Sequence, residues 1–285
     1  MTNFARELWR RLETLHAVTY FAPESLDTAA ELGVRGFWRC YFGYRAAPLG
    51  ACSAGTVTAA FFGFAPSMVE RAIPSVWELA TPTDLISART TSAATALRRL
   101  AGDELEAALE SGWLLETLDA ASRSASPGGH PMFAANRALD RPDDPVAALW
   151  QLATNLREQR GDSHVNAWAS RGFDPLEVAV LFVADGGTTR KSLQPHRGWT
   201  DDEWADTDAR LERRGLVSAG STTERGAAIR AEVERVTDEL AERPFASFDA
   251  ADRQRVLDVL ERPASAVARS EIIPSINPMG VPLLD

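Results

Sequence analysis

At 285 residues, 45% of them apolar, the chain can bury one large core or two smaller ones. A formal charge of −10 and a pI near 5.0 argue against nucleic acid or an anionic membrane surface as its main partner. The two cysteines, Cys40 and Cys52, lack CxxC spacing, which argues against both a disulfide framework and a cysteine-held metal.

In chain order, the first helix is expected over about residues 3–20, with Phe4, Leu8, Leu12 and Leu15 on one face and His16 and Tyr20 one turn apart on its edge. Pro23-Glu24 breaks it, and a second helix ends at Gly33. Residues 35–45 form an aromatic helix carrying Tyr41 and ending at Arg45. Apolar helices follow over 54–64 and 67–77, then long ones over 82–100 and 103–121. Residues 122–144 are rich in Ser, Pro and Gly and read as a linker. Asp144-Pro145 opens the next helix, expected to end in a polar turn holding Arg157, Arg160, Asp162 and His164. Residues 176–182 make a buried helix, and Gly186-Gly187-Thr188-Thr189 a turn.

The most specific stretch is 193–240. Thr200 and Glu203 form a capping box that opens a helix presenting Trp204, Thr207 and Leu211, closed by Gly215. Leu216-Val217 starts a short hairpin, and Thr222-Thr223-Glu224-Arg225-Gly226 opens a long helix through Leu240. The segments ARLERRGLV, TTERGAAIRAEVERVTDEL and FDAADRQRVLDVL resemble the MarR family of winged-helix regulators. That resemblance implies a second helix placed in a DNA groove, a hairpin as wing, and last helices building a dimer interface. It also extends to an actinobacterial branch carrying such a motif. Winged helices also serve as substrate-recognition modules in enzymes of specialised metabolism.

The charges depart from a DNA reader. Asp201, Asp202, Glu203 and Asp206 lie on the groove-facing half of that helix, where affinity for phosphates needs Lys and Arg. Only one lysine, Lys191, is present.

The two halves overlay at an offset of roughly 133 to 141 residues: Leu8-Trp9 on Leu149-Trp150, Gly36-Phe37 on Gly172-Phe173. The fold expected is therefore mainly α: two winged-helix-like halves, 1–121 and 145–285, related by a pseudo-two-fold, with a small β wing in the second. One chain would then imitate a MarR-type dimer.

On that arrangement His16 and His164 lie on equivalent first helices and face one cleft. His16, Asp162 and His164 are the acid–base candidates, and Tyr20, Glu24, Tyr41, Arg45, Arg157 and Arg160 the ligand-binding candidates. Each also has a structural reading: His16 a core-edge histidine, Asp162 the N-cap of the next helix, Arg157 a surface ion-pair partner of Glu158 or Asp162, Arg45 a helix-end charge. No HxxxH or HExxH spacing supports a metal, no cofactor is identified, and no GxSxG elbow supports covalent catalysis. The reading is a small-molecule-binding protein that has given up DNA, with acid–base turnover open to it, as a monomer or homodimer. The alternative is a MarR-like transcriptional regulator. The start of the sequence lacks a signal-peptide pattern and no apolar run approaches a membrane span, so a cytoplasmic protein is expected.

Overall fold

A computed structural model describes residues 3–274 together with Asn277 and Leu284. Among these the fold is mainly helical. The helices are α1 (Phe4–Phe21), α2 (Pro23–Glu31), α3 (Phe37–Ala46), α4 (Ala54–Phe61), α5 (Pro66–Glu70), α6 (Pro82–Leu109), α7 (Trp113–Ser124), α8 (Pro131–Arg137), α9 (Pro145–Ala169), α10 (Pro175–Ala184), α11 (Arg190–Arg197), α12 (Asp201–Arg213), α13 (Glu224–Glu242) and α14 (Ala250–Arg269). A hairpin of β1 (Val217–Ser218) and β2 (Ser221–Thr222), paired antiparallel with Val217 opposite Thr222, separates α12 from α13.

Local chemistry explains most boundaries. Asn3, Ser53, Thr81, Asp144, Asp174, Thr189, Thr200, Thr223 and Asp249 each cap a helix through the side chain, satisfying amides that would otherwise lack acceptors. Proline stands in the first turn of α2, α5, α6, α8, α9 and α10, where no amide is needed.

Three buried clusters divide the interior. The largest joins α1, α6, α7, α9 and α14 through Leu8, Leu12, Leu97, Leu118, Trp150 and Leu260. A second, aromatic, cluster fills the space around α3, α4 and α5, with Phe42, Phe61, Phe64 and Tyr44. The third, around α10–α13, centres on Trp168, Trp204, Leu211 and Val233.

Four expectations are corrected. Residues 122–144 are not a free linker: α7 runs to Ser124, and α8 packs on α9 with Met132, Phe133 and Asn136 fully buried. The Ser/Pro/Gly composition marked the turns flanking α8 and hid a short helix held by tertiary packing. The stretch Arg157–His164 is not a helix end, since α9 runs unbroken to Ala169 and Gly161 lies inside it. Residues 67–77 do not form one helix: Pro74 separates α5 from a single 3-10 turn over Ser75–Glu78. The expected 103–121 helix is in two pieces: the α6 span breaks at Ala101 (φ −146°, ψ 34°), where the 82–100 helix is expected to end, its second piece stops at Leu109, and α7 begins at Trp113.

The helix–turn–helix formed by α11 and α12 lies against the aromatic cluster of the N-terminal half. Ala65 donates its amide to the Arg197 carbonyl at 2.8 Å, and the Trp199 indole donates to the Gly63 carbonyl at 3.3 Å. Gly198, with φ +79°, approaches Met68 so closely that a Cβ would stand 2.5 Å from the Met68 Cβ. Gly226 is fixed similarly: a Cβ there would meet the Leu216 carbonyl at 2.2 Å, while Thr223 donates its amide to that carbonyl at 3.1 Å. The T-x-x-G sequence is thus a cap followed by the small residue that lets α13 lie against the hairpin.

Candidate functional site

Five of the expected site residues come together between α1, α3 and α9, around Glu158, expected only as a surface partner of Arg157 and in fact buried. Glu158 is 1% exposed. Arg45 grips it with two hydrogen bonds, Nε to Oε1 at 3.1 Å and Nη2 to Oε2 at 3.2 Å. Arg157 places Nη1 2.9 Å from Oε2 of the same carboxylate and donates through Nε to both oxygens of Glu13, at 3.2 and 3.0 Å. Arg45 also donates to the Tyr41 hydroxyl at 3.2 Å and lies over the Phe61 ring. The Tyr20 and Tyr41 rings are 4.8 Å apart, and Tyr20 reaches His16. The two guanidiniums hold Glu158 far below the ordinary carboxylate range despite its burial. Such a buried lattice holds only while every charge keeps its partner.

The histidines have definite tautomers. Thr154 spends its hydroxyl hydrogen on the Trp150 carbonyl at 2.8 Å, so it accepts from His16 Nδ1 at 2.9 Å. His16 Nε2 is then an acceptor, taking the Tyr20 hydroxyl at 3.2 Å. His164 repeats the pattern: Thr237 donates to the Val233 carbonyl and accepts from His164 Nδ1 at 3.1 Å, while the Trp168 indole donates to Nε2 at 3.0 Å. Burial pushes both imidazoles down, His16 well below its usual value and His164 to about 4, so both are neutral at pH 7. They do not share a cleft. His16 bonds Thr154, which lies about 15 Å along α9 from His164 at 1.5 Å per residue.

Asp162 caps α8 from the side, accepting the Phe133 amide at 2.9 Å; burial and the nearby Glu158 charge raise its carboxyl to about 7. Glu24 lies apart, paired with Arg99 at 2.5 Å near the surface. Arg160 joins a second ionic group, with Nη2 3.1 Å from Asp238 and 3.2 Å from Glu234; Arg6 pairs with the same two carboxylates. Its guanidinium lies over the Trp9 ring at 4.2 Å.

Arg157 and Arg160 also share the rim of a shallow recess of about 20 Å³, room for about one water, where α1, α9 and α13 meet, floored by Leu8, Leu12, Leu156 and Phe245. None of the other expected site residues lines it. The missed residues, Glu13, Thr154 and Thr237, had one signal available: polar side chains at positions where a helix presents its apolar face.

The outer face of α12 bears on DNA. Asp201, Asp202, Glu203 and Asp206 are exposed, whereas Trp204, Thr207 and Leu211 are buried. Arg210 and Arg214 bend back to Asp174, the N-cap of α10, and to Glu177 within it, at 2.8 Å each. Ala219 and Gly220, with positive φ, form the hairpin tip.

Among the described residues no helix is long and apolar enough to cross a membrane, and no group of three or more His, Cys, Asp or Glu stands together as a metal would need. No curated protein and no solved structure matches the chain. The profile of a helix-turn-helix family matches residues 5–274, nearly the whole length, and the chain belongs to that family.

Proposed function

We propose that this helix-turn-helix family member is a small-molecule-binding protein that no longer reads DNA through α12. The carrying observation is the acidic exposed face of α12; the seam where α1, α9 and α13 meet, apolar in its floor and edged by two arginines but too small as it stands for more than a water, is where a ligand would have to open a site between packed helices. The carboxylates on the exposed face of α12 support the loss of DNA, because phosphates are held by cations and repelled by this face. Both histidines and Asp162 are engaged in structural hydrogen bonds, which favours binding over acid–base turnover.

In this reading the chain is a fused pair of MarR-like winged-helix halves, 1–121 and 145–285, so one copy supplies both sides of the pseudo-two-fold and works as a monomer. The packing pattern supports it. With α1, α6 and α7 matched to α9, α13 and α14, α1 packs on α14 as α9 does on α7. Likewise α6 packs on α1 as α13 does on α9, and α1 and α9 pack on each other. Packing of α6 on α14 has no comparable partner between α7 and α13.

Native mass spectrometry of the purified full chain tests the binding reading: a co-purified small molecule, lost on denaturation, is expected. The competing reading, a DNA-binding regulator, draws on family membership alone. A salt-sensitive, sub-micromolar complex with duplex DNA would establish it instead.

A further inference from the structure

A second recess, sharing no lining residue with the seam of α1, α9 and α13, opens at the surface between the last two turns of α6 and the second half of α14. Its volume is about 500 Å³, within the range that small ligands occupy. Ala107 and Ser265 line it and put little side chain into it.

The charges around it are balanced in number and unmatched in position. Glu261 is committed: it faces Arg11 at 2.5 Å and accepts from the Ser265 hydroxyl at 2.9 Å. Glu104 and Arg269 only approach one another, at 4.0 Å and with both side chains reaching water, the weakest kind of ion pair. Asp103 and Arg262 are exposed, and among the described residues neither has a hydrogen bond or an ion pair. Three carboxylates thus stand with three guanidiniums, counting Arg11. A ligand of either net charge gains nothing from the recess as a whole. One with no net charge and two charged ends gains at both: an ammonium meets Asp103 and Glu104, and a carboxylate meets the planar fork of Arg262.

Spacing sets the length of such a molecule. Arg269 marks the end beside Glu104, and Arg262 stands seven residues back along α14. At about 1.5 Å per residue the two ends lie about 10 Å apart, the reach of about three extended residues.

We infer that the recess takes an extended zwitterion, a short linear peptide with free amino and carboxyl ends, its ammonium against Asp103 and Glu104 and its carboxylate against Arg262.

The test titrates the full, isotope-labelled chain with triglycine and follows the backbone amides by nuclear magnetic resonance. Triglycine is expected to bind in the millimolar range and to shift the amides of Ala107 and Ser265. N-acetyl-triglycine lacks the ammonium and triglycinamide lacks the carboxylate; each should bind about two- to fivefold more weakly. Asp103→Asn should weaken triglycine by a similar factor and leave N-acetyl-triglycine unchanged, while Arg262→Gln should weaken triglycine and leave triglycinamide unchanged. Both side chains are exposed, so both variants should melt with the parent. Ala107→Phe, which fills the recess, should remove the shifts in a chain whose circular dichroism is unchanged. Blocked peptides that bind as well as triglycine overturn the ligand class. Triglycine binding that survives Ala107→Phe overturns the place. Absence of any saturable shift overturns the inference whole, and a co-purified molecule in native mass spectrometry would then still support the broader reading.

Discussion

Glu158 is the residue on which the interior depends most. It is buried, it neutralises Arg45 and Arg157 together, and neither arginine has enough water around it to replace the carboxylate. Glu158→Gln keeps the shape and removes the charge, leaving a buried guanidinium uncompensated. A loss of about 3–5 kcal/mol is expected, read as a lower urea midpoint with unchanged slope. Adding Arg45→Met to Glu158→Met should recover much of that loss, because Arg157 keeps Glu13. A single variant as stable as the parent would refute the lattice. Asp162 makes a different prediction, in pH. Its folded carboxyl is raised to about 7 from an ordinary 3.8 by burial and by Glu158. The folded state therefore holds a proton that the unfolded chain has released. The sign follows: this group's contribution is fully present below about pH 4 and is lost as pH rises through about 7, so stability should fall across that window and level off above it. Asp162→Asn keeps an acceptor for the Phe133 amide and cannot titrate, so its stability curve should be flatter between those limits. An identical slope in parent and variant would exclude Asp162 as its source.

Among the elements, α8 and the α11–α12 turn separate what the sequence disclosed from what it hid. Capping boxes, first-turn prolines and the T-x-x-G signal are local chemistry, and they placed α12, the hairpin and α13 closely. The helix α8 is seven residues long and exists because α9 buries one side of it, a fact outside its own sequence. If 122–144 were a linker, Phe133→Ala would cost almost nothing; with the ring fully buried, about 3–5 kcal/mol is expected in chemical denaturation. The histidines show the other limit. Matching α1 to α9 from their first residues sets His16 against Arg157, each the thirteenth residue of its helix, while His164 lies beyond the length of α1. Spacing alone suggested two equivalent imidazoles, and it could not show that α9 continues seven residues longer. Arg45, Tyr41, His16, Tyr20 and Arg157 were legible because polar groups on apolar faces need partners; which partner each takes is long-range packing. Gly198→Ala tests the docking of the turn. Positive φ and the Met68 contact should together cost about 1–3 kcal/mol, and amide exchange should quicken across α11 and α12 while α1 and α9 stay protected. Uniformly unchanged exchange would mean that the turn is not pinned at this point.

At the scale of the whole molecule the question is whether a helix-turn-helix architecture still implies a nucleic-acid surface. Family membership supplies the architecture, but affinity for a duplex comes from cations released onto phosphates, and the net charge of −10 opposes it at every distance. The local surface opposes it too: α12 exposes Asp201, Asp202, Glu203 and Asp206, and Arg210 and Arg214 are tied to α10. The parent chain is therefore expected to show no salt-sensitive binding in fluorescence anisotropy with mixed-sequence duplexes. If the scaffold has lost only its charges, Asp202→Arg with Asp206→Arg should restore weak, non-specific association. Two added phosphate contacts predict a slope of about −2 in log K against log salt. If the shape has been lost as well, because the turn is docked on the aromatic cluster of the N-terminal half, the double variant should remain inert. Gly198→Ala added to it should then release binding. Steep salt dependence in the parent itself would overturn the electrostatic argument, and with it the case that the seam between α1, α9 and α13 is where this protein meets its ligand.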